Sequence, residues 1–216
     1  MDVKVQGAQI HVVDRGQGTP TLFLHGIPDS SEVWSAVTAK ISGSYHCLAP
    51  DLPGFGRSSQ PEHLRLTLDG MASFVDALVS ALGITEPLNL VVHDIGGPYG
   101  LAWAVRHPHK VASIVILNTV FQPEYRWHRY GRICRTPLLG ELMQLLTTQS
   151  GLARELRLSS GLKKPTREYI AATYRQLGFA TRRMVLRLYR ALDPAQFTEW
   201  DQQLRRLTAA VPSLVL

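Results

Sequence analysis

Cysteine is nearly absent from this 216-residue chain: Cys47 and Cys134 are the whole complement. Two thiols cannot build a disulfide framework, and these two have no metal-ligand spacing, so no metal site is expected. Long apolar runs are missing as well, since none approaches the ~20 residues that a membrane helix needs. The opening stretch MDVKVQGAQIHVV lacks a charged segment followed by an apolar one, so no signal peptide is expected. A cytoplasmic protein without a membrane partner follows as the expectation. Repeats and low-complexity segments are absent, and histidine does not occur after His128. A hydrophobic content of 45% still allows one sizeable core, so one domain with at most an inserted subdomain is expected.

Acidic residues are scarce in the second half. Residues 1–125 carry 7 Lys+Arg against 11 Asp+Glu, whereas residues 126–216 carry 16 against 6. A basic half can signal nucleic acid. Here, however, the arginines come at helical spacing between leucines, as in RRMVLRLYR and RELRL, with few aromatics to stack bases. Solvated helix faces are the reading taken, without a nucleic-acid partner; an anionic substrate or an acidic partner surface stays open.

Hydrophobic patterning gives the architecture. VKVQG and AQIHVVDRG read as two strands around a Gly-Ala turn, and TLFLHG as a strand buried on both faces. SSEVWSAVTAKI places Val33, Trp34, Val37 and Ile41 at helical spacing behind a serine cap. YHCLAPDL is the next strand, and TLDGMASFVDALVSALG a helix with Thr67 as N-cap and Gly83 as C-cap. LNLVV, the helix PYGLAWAVRHP and the strand VASIVILN complete the series. Strands separated by helices predict an α/β class with a parallel sheet behind an antiparallel start. Residues 121–207 show only helical patterns, and VPSLVL reads as a final strand. The predicted organisation is a core over 1–120, a helical insertion over 121–207 and a return to the core over 208–216.

The chemistry centres on LVVHDIGGPYG, residues 90–100, where a buried strand delivers Asp94 to a glycine-rich corner. One reading is an N-cap, with the carboxylate accepting backbone N–H bonds and opposing the helix dipole. The other is a nucleophile elbow, in which a tight turn pushes Asp94 out above the sheet and Gly96 and Gly97 let the following helix close on the strand. DIGGPYG does not match G-x-G-x-x-G, and an aspartate there would repel a pyrophosphate, so no cofactor is expected.

HGIP (25–28), DLPGFGRSS (51–59), VVHDIGG (91–97) and ILNTV (116–120) each follow a predicted strand, in that order. In this arrangement the chain resembles the α/β-hydrolase fold, and specifically its aspartate-nucleophile branch of haloalkane dehalogenases and epoxide hydrolases. Val92, ILNT and PLLGEL look dehalogenase-like. The resemblance implies that Asp94 attacks a carbon electrophile, leaving an alkyl ester that an activated water then hydrolyses. It assigns the oxyanion hole to the backbone N–H groups of Ile27 and Ile95, and supporting places to His25, Gly26, Pro28, His93, Gly96 and Gly97. Dehalogenases carry Trp after the nucleophile and Asn inside HG-x-P, whose side chains hold the departing halide. Ile95 and Ile27 stand there, and neither side chain donates, so efficient dehalogenation is not expected. Epoxide hydrolysis, with Tyr125, Tyr130, Tyr169, Tyr174 or Tyr189 as proton donor, is one alternative; esterase-type activity and a non-catalytic member of the fold are others.

The family's acid and histidine, which follow the nucleophile in chain order, are not found. The histidines are at 11, 25, 46, 63, 93, 107, 109 and 128, and Asn118-Thr119 stands where an acid can follow. The resemblance therefore implies a hydrolase on a small-molecule substrate, truncated at the C-terminus, lacking the last strand and closing helix and impaired in turnover. An open sheet edge then predicts a homo-oligomer, or an exchanged dimer, formed through that edge.

Overall fold

The computed structural model describes residues 1–61, 63–161 and 164–216. A hairpin of β1 (Asp2–Val5) and β2 (Ala8–Arg15) opens the chain. Its turn is Gln6-Gly7 rather than Gly-Ala, because both residues take positive φ, +49° and +85°. That mirror-image turn matches the twist of the paired strands. Alternation along β2 buries Ala8, Ile10 and Val12 and leaves Gln9 exposed.

There follow β3 (Thr19–Leu24), a 3-10 turn, α1 (Ser35–Ile41), β4 (Tyr45–Pro50), α2 (Leu68–Ala81), β5 (Leu88–Asp94), α3 (Gly96–Arg106) and β6 (Val111–Thr119). Five helices come next: α4 (Arg129–Arg135), α5 (Leu139–Leu146), α6 (Gln149–Ser159), α7 (Arg167–Gln176) and α8 (Phe179–Ala191). Then α9 (Thr198–Ala210) and β7 (Ser213–Val215) close the chain. Thr67 caps α2 by accepting from the Gly70 N–H at 3.1 Å; its C-cap is Leu82 rather than Gly83, which follows it and leaves the helix at φ +69°.

The strands form one sheet in the order β1-β2-β4-β3-β5-β6-β7. Pairings β1/β2 and β2/β4 are antiparallel and the others parallel, the mostly parallel sheet that the patterning predicts. From β3 the chain moves outward to β4, then crosses back to place β5 on the other side of β3. Where strand order reverses in this way, the loops after the two central strands diverge and leave a crevice at their C-terminal ends. HGIP follows β3, and Asp94 ends β5.

Packing holds those two strand ends still. Phe23, Cys47 and Ala49 meet Trp34 on one face. On the other, Leu24, Leu90 and Val92 pack against Gly100 of α3, with no room for a Cβ. All of α3 from Gly96 to Ala104 is buried, and it packs against both α2 and α9. Each fully buried leucine there contributes roughly 1.5–3 kcal/mol. At its far end Asp76 accepts from Trp103 Nε1 at 3.2 Å and Lys110 Nζ at 2.8 Å.

Contacts divide the chain at 127 and 190 rather than at 121 and 207: residues 1–126 and 191–216 form one unit, 127–190 the other. The predicted boundary shifts because α9 belongs with the sheet. It packs on α3, Phe121 stacks on Phe197 at 5.2 Å, and the Arg106 guanidinium lies 4.5 Å from the Trp200 ring. Polarity alone could not separate α9 from the arginine-rich helices before it.

Within residues 127–190, arginines expected on solvated faces, Arg182 and Arg190 among them, are tied to backbone carbonyls. Arg182 donates to Leu177, Gln144 and Thr147 carbonyls. Arg190 donates to the Cys134 carbonyl at 3.1 Å and grips Glu141 at 2.7 and 2.8 Å. These contacts satisfy the orphan carbonyls at helix C-termini. Cys47 and Cys134 are free and buried. Among the described residues no group of three His, Cys, Asp or Glu is placed to hold a metal, and no helix is long and apolar enough to cross a membrane.

Candidate active site

Asp94 is the last residue of β5 and has φ +48°. A side chain in that left-handed region costs about 1–2 kcal/mol, although aspartate tolerates it better than most. The neighbouring strand accommodates the corner by bulging. His93 pairs with Leu117 and Asp94 with Thr119, stepping past Asn118, itself at φ +35°. A bulge of this kind re-aims a side chain at a strand end. The Thr119 hydroxyl donates to the Asp94 carbonyl, so β6 clamps the backbone of the strained residue.

The carboxylate does not cap α3. The N-cap of that helix is Ile95, in helical conformation and without a side-chain hydrogen bond. Instead Asp94 Oδ1 accepts from the Ile27 backbone N–H at 2.7 Å. Of the two readings left open by the sequence, this geometry favours the side chain turned toward the HGIP loop. The Ile95 N–H makes no bond to Asp94 among the described residues, and the Ile95 side chain is buried.

The glycines are explained by what lies against them. A Cβ on Gly26 would collide with Asp94 Cβ and reach His93 Nδ1. One on Gly96 would enter the Leu24 carbonyl, and one on Gly97 would land on the Thr119 side chain. The first turn of α3 thus begins at Gly96, two residues before the predicted start at Pro98, and is jammed between β3 and β6.

His25 is fully buried and holds two loops together. Its Nδ1 lies 2.9 Å from the Gly26 carbonyl, and its Nε2 accepts from the Leu52 N–H at 2.8 Å. Those partners require the proton on Nδ1, leaving the ring neutral. Burial pushes its pKa down to about 4, so it is ill suited to act as a base near neutrality. Asp51 completes the brace, with Oδ1 accepting from Ser31 N–H at 2.7 Å and Oδ2 from Arg57 N–H at 2.8 Å. Pro28 follows Ile27 through a cis peptide bond. His93 turns to the opposite face of β5, edge-on to Trp34 at 6.4 Å.

Four other histidines are engaged elsewhere. His11 lies on Asp2 at 2.8 Å, His46 on Asp14 at 2.7 Å, and His107 against Trp103 with Asp76 at 3.6 Å. His128 caps α4. Of the five tyrosines considered as proton donors, Tyr125 lies in electrostatic reach of Asp94. Burial, and then the Asp94 charge, raise its pKa. Tyr130 accepts from Gln144 Nε2 at 2.9 Å, and Tyr174 donates toward the Thr147 carbonyl at 3.4 Å. A cavity of about 520 Å³ within residues 127–190, lined by Thr148, Ser150, Ala153, Arg157, Arg167 and Ile170, contains none of the expected site residues.

Sequence reasoning missed Thr119 and Asp51 as parts of this site. Asp51 carried a signal, as the carboxylate ending a strand before a Gly/Pro loop. Thr119 carried none, because the bulge that aims its hydroxyl arises only when β5 and β6 pair.

Residues 19–206 match the family described as alpha/beta hydrolase fold. A haloalkane dehalogenase of Agrobacterium fabrum is 39% identical over 121 residues, covering 56% of this chain and 39% of that relative. A cis-3-alkyl-4-alkyloxetan-2-one decarboxylase of Shewanella oneidensis is 31% identical over 179 residues, covering 78% of this chain and 54% of that relative. The chain thus spans about half the length or less of these curated relatives. The solved structure of a haloalkane dehalogenase from Bradyrhizobium elkani superposes with a TM-score of 0.81 at 28% identity, covering all of this chain and 78% of that one. The chain belongs to the alpha/beta hydrolase fold family, and haloalkane dehalogenases are among the proteins it resembles in sequence and in structure.

Proposed function

We propose that the chain is a haloalkane-dehalogenase-like hydrolase in which Asp94 is the nucleophile. The observation that carries this reading is the Asp94 carboxylate on a positive-φ corner with Oδ1 held by the Ile27 N–H at 2.7 Å. With Oδ1 engaged, Oδ2 is the attacking oxygen. It forms a bond to carbon as the leaving group departs with its electron pair, giving an alkyl ester on Asp94. Oδ1 then becomes the ester carbonyl. When water attacks that ester, the charge develops on Oδ1, where the Ile27 N–H already points, and the Ile95 N–H is the second donor.

The first step asks nothing of a histidine, but the second asks for a base. His25 is locked between backbone groups, and no other histidine hydrogen-bonds to Asp94 among the described residues. Turnover by this chain alone is therefore impaired, and the ester accumulates.

A second reading concerns the leaving group. Ile27 and Ile95 offer no side-chain donor to a halide, whereas Tyr125 keeps its phenol proton in the field of Asp94. That pairing suits an oxygen leaving group, such as the ring oxygen of an epoxide or the ring carboxylate of an oxetan-2-one. Ring opening at carbon breaks one C–O bond and needs no halide cradle. Similarity to the Shewanella oneidensis decarboxylase supports the cyclic ester.

Intact-mass measurement tests both readings. Incubation with a bromoalkane, an epoxide and a cis-dialkyl oxetan-2-one should add one alkyl or ring-opened substrate mass, and Asp94→Asn should add none. Labelling that persists in Asp94→Asn would remove Asp94 from the mechanism. Labelling by the bromoalkane alone would remove the oxygen-leaving-group reading. Neither adduct nor turnover with any of the three would favour a non-catalytic member of the fold.

A further inference from the structure

Residues 127–190 carry 13 Lys+Arg against 3 Asp+Glu. On α5 the buried side is Gly140 and Gln144, while Leu139, Leu142, Leu145 and Leu146 are exposed. At 3.6 residues per turn these four leucines cover an arc of about 120°, and Leu138 extends it. Leu138 and Leu145 are 83% and 78% exposed, values unusual for leucine at the surface of a folded chain. Phe179, 82% exposed, opens α8. Arg182, one turn further on, donates to the Gln144 and Thr147 carbonyls, so this phenylalanine stands at the same end of α5 as Leu145 and Leu146. The one acid on α5, Glu141, is neutralised by Arg190. Exposed Arg175 and Arg183 flank Phe179 in sequence.

An exposed apolar helix face of this kind needs an occupant. A second copy of the same face would bring together two helical units each carrying a large excess of positive charge. Nucleic acid would meet the arginines and leave the leucines wet. A surface that is both apolar and anionic satisfies both features.

We propose that the α5 leucine face, with Phe179 and the exposed Arg175 and Arg183, docks on the interface of an anionic lipid bilayer. Charge complementarity selects the lipid. No helix among the described residues can span it, so the chain lies on the surface, with leucines in the acyl boundary and guanidinium groups at headgroup level. The inference stands independently of the chemistry at Asp94.

Co-sedimentation with vesicles at physiological salt is the test. Vesicles with about one-third phosphatidylserine should bind the chain at least ~10-fold more tightly than pure phosphatidylcholine. Leu142→Glu and Leu145→Glu, at exposed positions and with folding checked by circular dichroism, should each weaken binding by about tenfold or more. Arg175→Glu with Arg183→Glu should erase the preference for phosphatidylserine. Absence of binding, equal binding to both vesicles, or leucine variants that bind like the parent would overturn the proposal. So would a stable dimer that Leu142→Glu splits, or binding to duplex DNA without binding to vesicles.

Discussion

Replacing Asp94 by glycine and, separately, by alanine isolates the strain at the corner. Both variants lose the carboxylate and its bond to Ile27, so their difference reports the backbone. At an ordinary position alanine is the more stabilising of the two by about 0.4–1 kcal/mol, because it restricts the unfolded chain. At φ +48° alanine carries the left-handed penalty of about 1–2 kcal/mol, which glycine escapes. The second term is larger, so the usual order should invert, with Asp94→Gly more stable than Asp94→Ala by about 1 kcal/mol. For a chain of this size that is about 2–4 °C in Tm, readable by urea titration or thermal melting. Neither variant should form an adduct. If Asp94→Ala were the more stable by its usual margin, the corner would not be strained, and the argument that backbone strain is maintained there to aim a nucleophile would fall.

Thr119→Val keeps the shape of the side chain and removes the hydroxyl donated to the Asp94 carbonyl. It should cost about 1 kcal/mol in urea and slow adduct formation; unchanged labelling kinetics would show that β6 does not position Asp94. Gly97→Val sets a branched side chain against Thr119 and should prevent the corner from forming, seen as lost labelling with lower stability. For His25 the folded pKa of about 4 lies below the ordinary histidine value, so between pH 6.5 and 4 the unfolded chain binds the extra proton. Stability is therefore full above about pH 6.5 and falls on acidification, by about 3 kcal/mol in all; urea midpoints at pH 7 and 5 should differ, and this component should vanish in His25→Gln. Leu214 and Val215 are exposed on edge strand β7, as is Leu216 just after it, so Leu214→Lys should raise the monomer fraction in light scattering if sheet edges mediate self-association.

The sequence by itself determined the series of strands and helices, because alternation in AQIHVVDR and helical spacing in LDGMASFVDALVSA are local properties. It also determined that Asp94 sits at a strand-to-helix corner followed by two small residues. Tertiary structure decided the rest. Only pairing between β5 and β6 makes the bulge at Asn118 that aims the Thr119 hydroxyl, and only the approach of β3 brings the Ile27 N–H to Asp94 Oδ1. The supporting place given to His25 takes its physical form only from burial and from the Leu52 N–H, 27 residues away. The assignment of α9 to the sheet unit likewise rested on Phe121 and Trp200 finding partners across the chain. Local pattern fixes which face of an element is apolar, but the partner of that face, and the direction in which a strained residue points, are set by contacts distant in sequence.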